Sequence, residues 1–372
     1  MKKLLSIICL LAVTAILLPL LVSCGGYKSK YDTVMEYNGI KITEELYNYW
    51  ISTFKRNILA SYSDASDTEE FWSSKFNDNL TVEEYFTEIL NERIMNYLIS
   101  QDLYKENSLK LSSAVKKQIE NDIQEKIEFY GGRGNLNSEL SSMMLNVNAL
   151  KEIYTWEAKH DLVYNYLFGE GGALEMTDKE MTDYYTANYS RIKYVVFYTT
   201  DIELDDNGDF KYDNQGNLIS KPLSEEDLAK KNAKINEFEN KLDDGIDFES
   251  LIVDYSEYDT TSYPDGFFVS ANDIAIWGPG IVPKVKEMAE GDVRRIDEEE
   301  AVFFIYKMAL TPFEDLSEAD VAQLTDLKFT SYVIDEKYDE FFAQMYSSVK
   351  INSEVISKYR LSKVKPNPHY AI

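Results

Sequence analysis

The chain has 372 residues and a formal net charge of −27, with 38 basic against 65 acidic side chains, two histidines and two cysteines. Such acidity argues against a nucleic-acid binder and against attachment to anionic lipid by charge; it favours basic clients, or is simply a solvated acidic surface. Two distant histidines and two cysteines leave no ligand set for a metal centre and no Ser-His or Cys-His pair for nucleophilic catalysis, so neither metal nor cofactor is expected.

Met1, Lys2 and Lys3 lead into an apolar run from Leu4 to Val22 that ends in Ser23, Cys24 and Gly25. A positive start, an apolar stretch and small residues before a cysteine are the parts of an export signal, and the pattern resembles the bacterial lipobox. That resemblance implies cleavage before Cys24, a diacylglycerol on its sulfur, and a protein anchored at the outer face of the cell membrane, two acyl chains holding where one would not. An uncleaved membrane helix is the alternative, since the run is nearly long enough to span. Pro19 and the Ser-Cys-Gly ending suit a peptidase site better. Residues 1–23 are assigned to the signal and 24–30 to a tether. Cys9 leaves with the signal and Cys24 carries lipid, so the mature chain has no disulfide, and its charge becomes about −29 once Lys2 and Lys3 are gone. Asparagine-rich, lysine-rich composition suggests a Gram-positive source.

Ordered sequence is expected from Tyr31. Val34 to Thr43 reads as a strand, an Asn38-Gly39 turn and a second strand, with Thr43 then capping a helix through Trp50 and Phe54. Thr81 and Glu84 make a capping box, followed at helical spacing by Val82, Tyr85, Phe86, Ile89, Leu90, Ile94, Tyr97 and Leu98. Further helices are predicted from Val115 to Tyr130, stopped by Gly131-Gly132, and from Asn148 to Phe168, ending at Gly169. Residues 31–189 are thus mostly helical, with His160 in a structural role. Gly131-Gly132-Arg133-Gly134 follows no strand and precedes no Lys-Ser/Thr, which excludes a phosphate loop.

From Arg191 the period changes. Ile192 to Tyr198 is rich in β-branched and aromatic residues and reads as a strand. Asp205 to Asp209 and Asn214 to Asn217 are turn signals that bracket a hairpin insertion. A calcium loop starting at Asp205 fails, because Phe210 and Gly216 stand where glycine and glutamate are needed. Helices follow from Leu223 to Leu242, capped by Ser224, and from Phe248 to Tyr255; Ala301 to Met308 is a last strand. Strand, helices, loop and strand in this order define an α+β domain over residues 190–311.

These residues carry a resemblance to the exported foldases of the PrsA and SurA type, and it covers nearly the whole mature chain. Asn38-Gly39 with Ile42-Thr43 is similar to the opening of that family's helical chaperone region. Phe86 to Leu90, continuing through Gln101 to Glu106, is similar to its first long helix pair, and Met176-Thr177-Asp178 to Tyr184-Tyr185 to the lead-in to its parvulin-type prolyl isomerase domain. Asp244 to Phe248, Tyr255-Ser256, Gly266-Phe267-Phe268 and Gly291-Asp292-Val293 match pieces of that domain, and a helix over Glu318 to Val349 resembles the one that returns to complete the chaperone region. The implied architecture is α+β: a mostly helical chaperone region over 31–189, completed by a C-terminal helix and tail over 312–372, with the parvulin-like domain inserted.

The departures from the family pattern fall in the site. Parvulin sites carry two histidines in the central sheet; here Tyr194 stands at the first position and Phe304 at the second. The usual Cys or Asp falls near Tyr258 or Asp259, paired glycines are replaced by Ser262-Tyr263, and the proline pocket is implied by Phe267, Phe268, Ile281 and Val285. Rotation of an X-Pro amide makes and breaks no bond, so catalysis needs only tighter binding of the twisted amide. Tyr194 can supply a hydroxyl and Asp259 an acceptor, but the preferred reading of Tyr194 and Phe304 is as core residues of the sheet. The function expected is a membrane-anchored extracytoplasmic folding factor for newly secreted, unfolded polypeptides, with weak or lost isomerase activity. The alternative is a surface lipoprotein that binds a small molecule or an envelope component on the same architecture.

Overall fold

The computed structural model describes residues 29–62, 65–205, 207–212, 218–258, 260, 263–278 and 280–368. Cys24 and the signal, Asp259 and Ser262 lie outside the described residues. The chain forms two compact units: unit 1 is built from both ends, up to Glu175 and again from Lys337, and unit 2 is the inserted stretch Met176–Glu336. The divisions differ from the expected 189/190 and 311/312 because the helices flanking the unit 2 sheet, 178–188 and 318–326, bury Tyr185 and Leu324 in that unit's own core.

In unit 1, β1 (Thr33–Tyr37) and β2 (Ile40–Thr43) pair antiparallel. Asn38 (φ 47°) and Gly39 (φ 81°) both take the left-handed backbone that a two-residue hairpin turn demands. α1 (Glu44–Ser61) starts after Thr43, yet the Thr43 hydroxyl makes no cap bond. The Glu44 N–H already donates to the Asp32 carbonyl at 3.0 Å, so one orphan donor is met by the chain itself. α2 (Glu69–Ser73) precedes α3 (Val82–Glu106), which opens with the Thr81/Glu84 capping box and buries Val82, Phe86, Leu90, Ile94 and Leu98. α4 (Ser113–Phe129) ends before the two glycines, but a helix not anticipated, α5 (Arg133–Ser141), follows them and joins α6 (Val147–Phe168). His160 on α6 is structural: its Nδ1 lies 2.8 Å from Ser100 Oγ.

Unit 2 opens with α7 (Asp178–Asn188) and β3 (Tyr189–Tyr198). β4 (Thr200–Ile202) pairs with β5 (Ser220–Pro222), and single bridges join Leu204 to Phe210 and Tyr212 to Leu218 where the hairpin insertion was expected. α8 (Glu225–Asp243) and α9 (Phe248–Tyr255) are followed by β6 (Phe267–Ser270), α10 (Ile274–Trp277), α11 (Ile281–Glu287), β7 (Val293–Asp297), β8 (Ala301–Met308) and α12 (Glu318–Asp326). The main sheet has the order β6-β3-β8-β7, with every pair antiparallel. β6 and β7 were not predicted. Gly266, at φ +92°, starts β6 where a Cβ would sit 2.6 Å from the Ile192 carbonyl oxygen, so only glycine allows this strand to approach β3.

Side-chain alternation divides the sheet into two faces. Val195, Phe197, Val302 and Phe304 pack with Ile235, Phe238, Phe248 and Leu251 of α8 and α9. Ile192, Tyr194, Val196 and Ile305 pack on the other face with Ile281, Val282 and Val285 of α11.

The expected helix over Glu318 to Val349 is broken. Lys328 takes φ 56°, and a second helix, α13 (Phe329–Tyr346), begins after it. Leu324 and Phe329 are five residues apart and would diverge by about 140° on one continuous helix; the left-handed residue resets the phase, and both enter the cluster around Tyr185 and Phe268. From Lys337 the chain belongs to unit 1. β9 (Lys350–Ile351) adds to β1, an unpredicted strand, and α14 (Ser353–Ile356) follows. Lys55, almost fully buried, donates to the Val364 carbonyl at 2.7 Å, and the Asn367 N–H donates to the Ser52 carbonyl at 2.9 Å.

Candidate functional site

On the α11 face of the unit 2 sheet, aromatic rings line a cleft of about 400 Å³, a size at which small ligands and peptide side chains are held. Tyr194 forms its floor and is 6% exposed. Its ring centroid lies 5.2 Å from Phe267, 5.4 Å from Trp277, and 6.1 Å from both Phe303 and Tyr258. Tyr263 stacks obliquely on Phe267 at 4.7 Å. Tyr198, Ile276, Gln323, Asp326 and Leu327 complete the lining, which contains no lysine, arginine or histidine among the described residues. Burial raises the Tyr194 hydroxyl pKa, with the nearby Tyr258 and Tyr198 hydroxyls adding to the shift, so this group stays protonated as a hydrogen-bond donor across the physiological range.

Local structure explains this arrangement. Four antiparallel strands hold Tyr194, Phe267 and Phe303 on one face by register: Ile192 lies opposite Phe267, and Val196 opposite Phe303. Gln323 of α12 secures the β6 end of the cleft, accepting from the Phe268 N–H and donating to the Gly266 carbonyl at 3.3 Å. Arg191 holds the same edge from beneath. Its guanidinium donates to the Asp265 carbonyl at 2.6 Å and to Thr311 Oγ1 at 2.7 Å, pairs with buried Asp320, and lies over the Phe268 ring.

Of the residues singled out in the sequence, Tyr194, Tyr258, Phe267 and Phe268 line the cleft, and Phe304, Ile281 and Val285 do not. Phe304 is on the opposite face, 4.6 Å centroid to centroid from Phe238, because β8 pairs it with Val195; Phe303 is the residue that shares the cleft with Tyr194. Phe268 borders the cleft but is 1% exposed and belongs to the cluster with Tyr185 and Phe329. Ile281 and Val285 are each 1% exposed and support the floor from behind, so they are not pocket walls. Asp259 lies outside the described residues. Trp277, Tyr263, Tyr198 and Phe303 were missed: Trp277 sits on a four-residue helix, Tyr263 in a loop and Tyr198 at the end of β3, and β8 is apolar at consecutive positions, so its alternation gives no face.

Unit 1 carries a second, larger concavity of about 710 Å³ between α4, α5 and α6. Leu136, Leu140, Met143 and Leu150 form its apolar floor, with Tyr49, Tyr130 and Tyr154 as walls; Phe129 on its rim is 83% exposed. Burial lowers the pKa of Lys126 there, partly offset by Asp122. No group of metal-ligating side chains is found among the described residues, and no helix among them is long and apolar enough to cross a membrane.

No family model matches the chain, and no curated protein does. Among solved structures it is similar to PrsA foldases. PrsA from Bacillus subtilis matches at 15% identity over 79% of this chain and 93% of its own, with a TM-score of 0.23. The foldase protein PrsA from Streptococcus pneumoniae matches at 12% identity over 88% and 98%, with a TM-score of 0.25. The peptidylprolyl isomerase PrsA from Bacillus anthracis matches at 16% identity over 71% and 100%, with a TM-score of 0.23.

Proposed function

We propose that this protein is an extracytoplasmic folding factor, anchored by lipid on Cys24, that binds newly secreted, unfolded polypeptides. The unit 2 cleft takes X-Pro segments, and the unit 1 groove takes exposed apolar stretches. The observation that carries the reading is the cleft itself: aromatic rings converge on one face of a four-stranded sheet, in a unit inserted between the two segments of a mostly helical body. Aromatic walls bind a pyrrolidine ring by area alone, and the Tyr194 hydroxyl offers a donor to a twisted amide. Imidazoles do not line the cleft among the described residues, so the isomerase activity of a PrsA-type domain is weak or lost here and binding is the principal role.

Aggregation of a reduced, unfolded secretory protein tests this proposal. Addition of this protein at equimolar concentration should suppress light scattering. Absence of suppression, together with a saturable small ligand that raises the melting temperature, would favour the alternative of a ligand-binding surface lipoprotein.

A further inference from the structure

The composition of the cleft bears on which X-Pro segments enter it. A proline ring needs only apolar walls, yet four tyrosines and a tryptophan stand among the lining residues, and their quadrupoles, negative above the ring, attract cations. Two further features add negative potential at the same place. α12 ends at the cleft, directing its carbonyl end towards it, and its last residue, Asp326, lines the opening. A carboxylate at a helix C-terminus is unfavourable for the helix, so its placement is not explained by local stability. Asp326 is exposed and forms no ion pair among the described residues, and no basic side chain lines the cleft to neutralise it. Glu257, nearby through its bond to the Tyr198 N–H, is by contrast already paired with Lys231.

We propose that the unit 2 cleft selects proline segments carrying a cationic side chain beside the proline, Lys-Pro or Arg-Pro, with the ammonium or guanidinium seated on the Tyr258, Tyr194 and Trp277 rings and facing Asp326. This rests on the cleft being an X-Pro site. The volume accommodates a pyrrolidine ring and one neighbouring side chain together. An acidic neighbour would be repelled by Asp326 and by the ring faces. An overall charge of −27 steers basic segments towards the protein before contact.

The test is a titration of the chain from Gly25 onward with short peptides differing only in the residue before proline: lysine, norleucine with the same stem and no charge, and glutamate. The lysine peptide should bind roughly three- to thirty-fold tighter than the norleucine peptide, and the glutamate peptide weakest of the three. Tyr258 is 47% exposed, so Tyr258→Leu can remove a ring face without opening the core. That variant and Asp326→Asn should each bring the lysine-to-norleucine ratio towards one, whatever either does to binding of the norleucine peptide. Equal or tighter binding of norleucine in the parent protein overturns the cation preference and leaves the X-Pro reading standing. Binding of none of the peptides overturns both.

Discussion

Tyr194 and Phe303 meet on one face of the unit 2 sheet with their ring centroids 6.1 Å apart, while the next residue along β8, Phe304, is buried behind them against Phe238. Alanine at the two adjacent positions should therefore separate binding from stability. Phe304→Ala removes a ring that is 3% exposed and is expected to destabilise unit 2 by about 3–5 kcal/mol. Phe303→Ala, at a half-buried site on the cleft wall, should cost less than half of that and weaken peptide binding. Urea midpoints with peptide titrations check the pair, and similar behaviour of the two variants would contradict the face assignment.

Arg191 and Asp320 form a buried ion pair, 4% and 6% exposed, that ties β3 to α12 beneath the cleft. Arg191→Met leaves the Asp320 charge without its partner and is expected to cost about 3–5 kcal/mol. Asp320→Asn on top of it removes the stranded charge while keeping an acceptor for the Ser317 N–H and hydroxyl, which Asp320 holds at 3.1 and 2.8 Å. The double variant should be more stable than Arg191→Met alone. A double variant less stable than the single one in urea unfolding would contradict this.

Unit 1 holds two partly buried groups whose titrations oppose each other. Burial raises the Glu157 pKa to about 7, against a lowering by the Trp50 N–H, which donates to it at 3.1 Å. Burial lowers the His160 pKa to about 4, with Arg93 adding to the shift. Between the unfolded Glu value of 4.5 and about 7, the folded state holds a proton on Glu157 that the unfolded chain has lost, so this group's contribution falls as pH rises. Between about 4 and 6.5 the unfolded chain protonates histidine and the folded state does not, so the contribution of His160 falls as pH drops. The two slopes largely cancel where they overlap. Glu157→Gln should expose the histidine slope, making the variant lose stability on acidification from pH 6.5 more steeply than the parent, and should raise stability at pH 8 by about 1–3 kcal/mol. Parallel profiles for parent and variant would contradict the assignment.

Phe129, on the rim of the unit 1 groove, is the most direct probe of client contact there. At 83% exposure its replacement by serine should change stability by no more than about 0.5 kcal/mol. Suppression of client aggregation should weaken, and unchanged suppression would remove the groove from the function.

Much of this arrangement was legible because local signals and tertiary packing agree. The Thr81/Glu84 box and the apolar spacing after it place α3, Asn38-Gly39 sets the first hairpin, and the aromatic and β-branched runs mark β3 and β8. The two-residue β9 and the short β6 exist only through pairing with strands distant in sequence, so no local pattern marks them. The error of one residue at Phe304 has the same origin. β3 and β8 are buried on both faces, so neither alternates apolar with polar side chains, and one-residue register decides which ring meets Tyr194. The break at Lys328 also lacks a glycine or proline to announce it; the demand that both Leu324 and Phe329 reach one cluster sets it.

The most direct measurement is of proline-peptide binding and prolyl exchange, followed by NMR on one X-Pro peptide, with the parent chain and with Tyr194→Ala and Phe303→Ala. The parent should bind the peptide with little or no acceleration of cis-trans exchange, and both variants should lose most of the binding while retaining folded spectra. Binding undiminished in folded Tyr194→Ala and Phe303→Ala would contradict the assignment of the aromatic cleft as the site where this protein holds proline-containing chains.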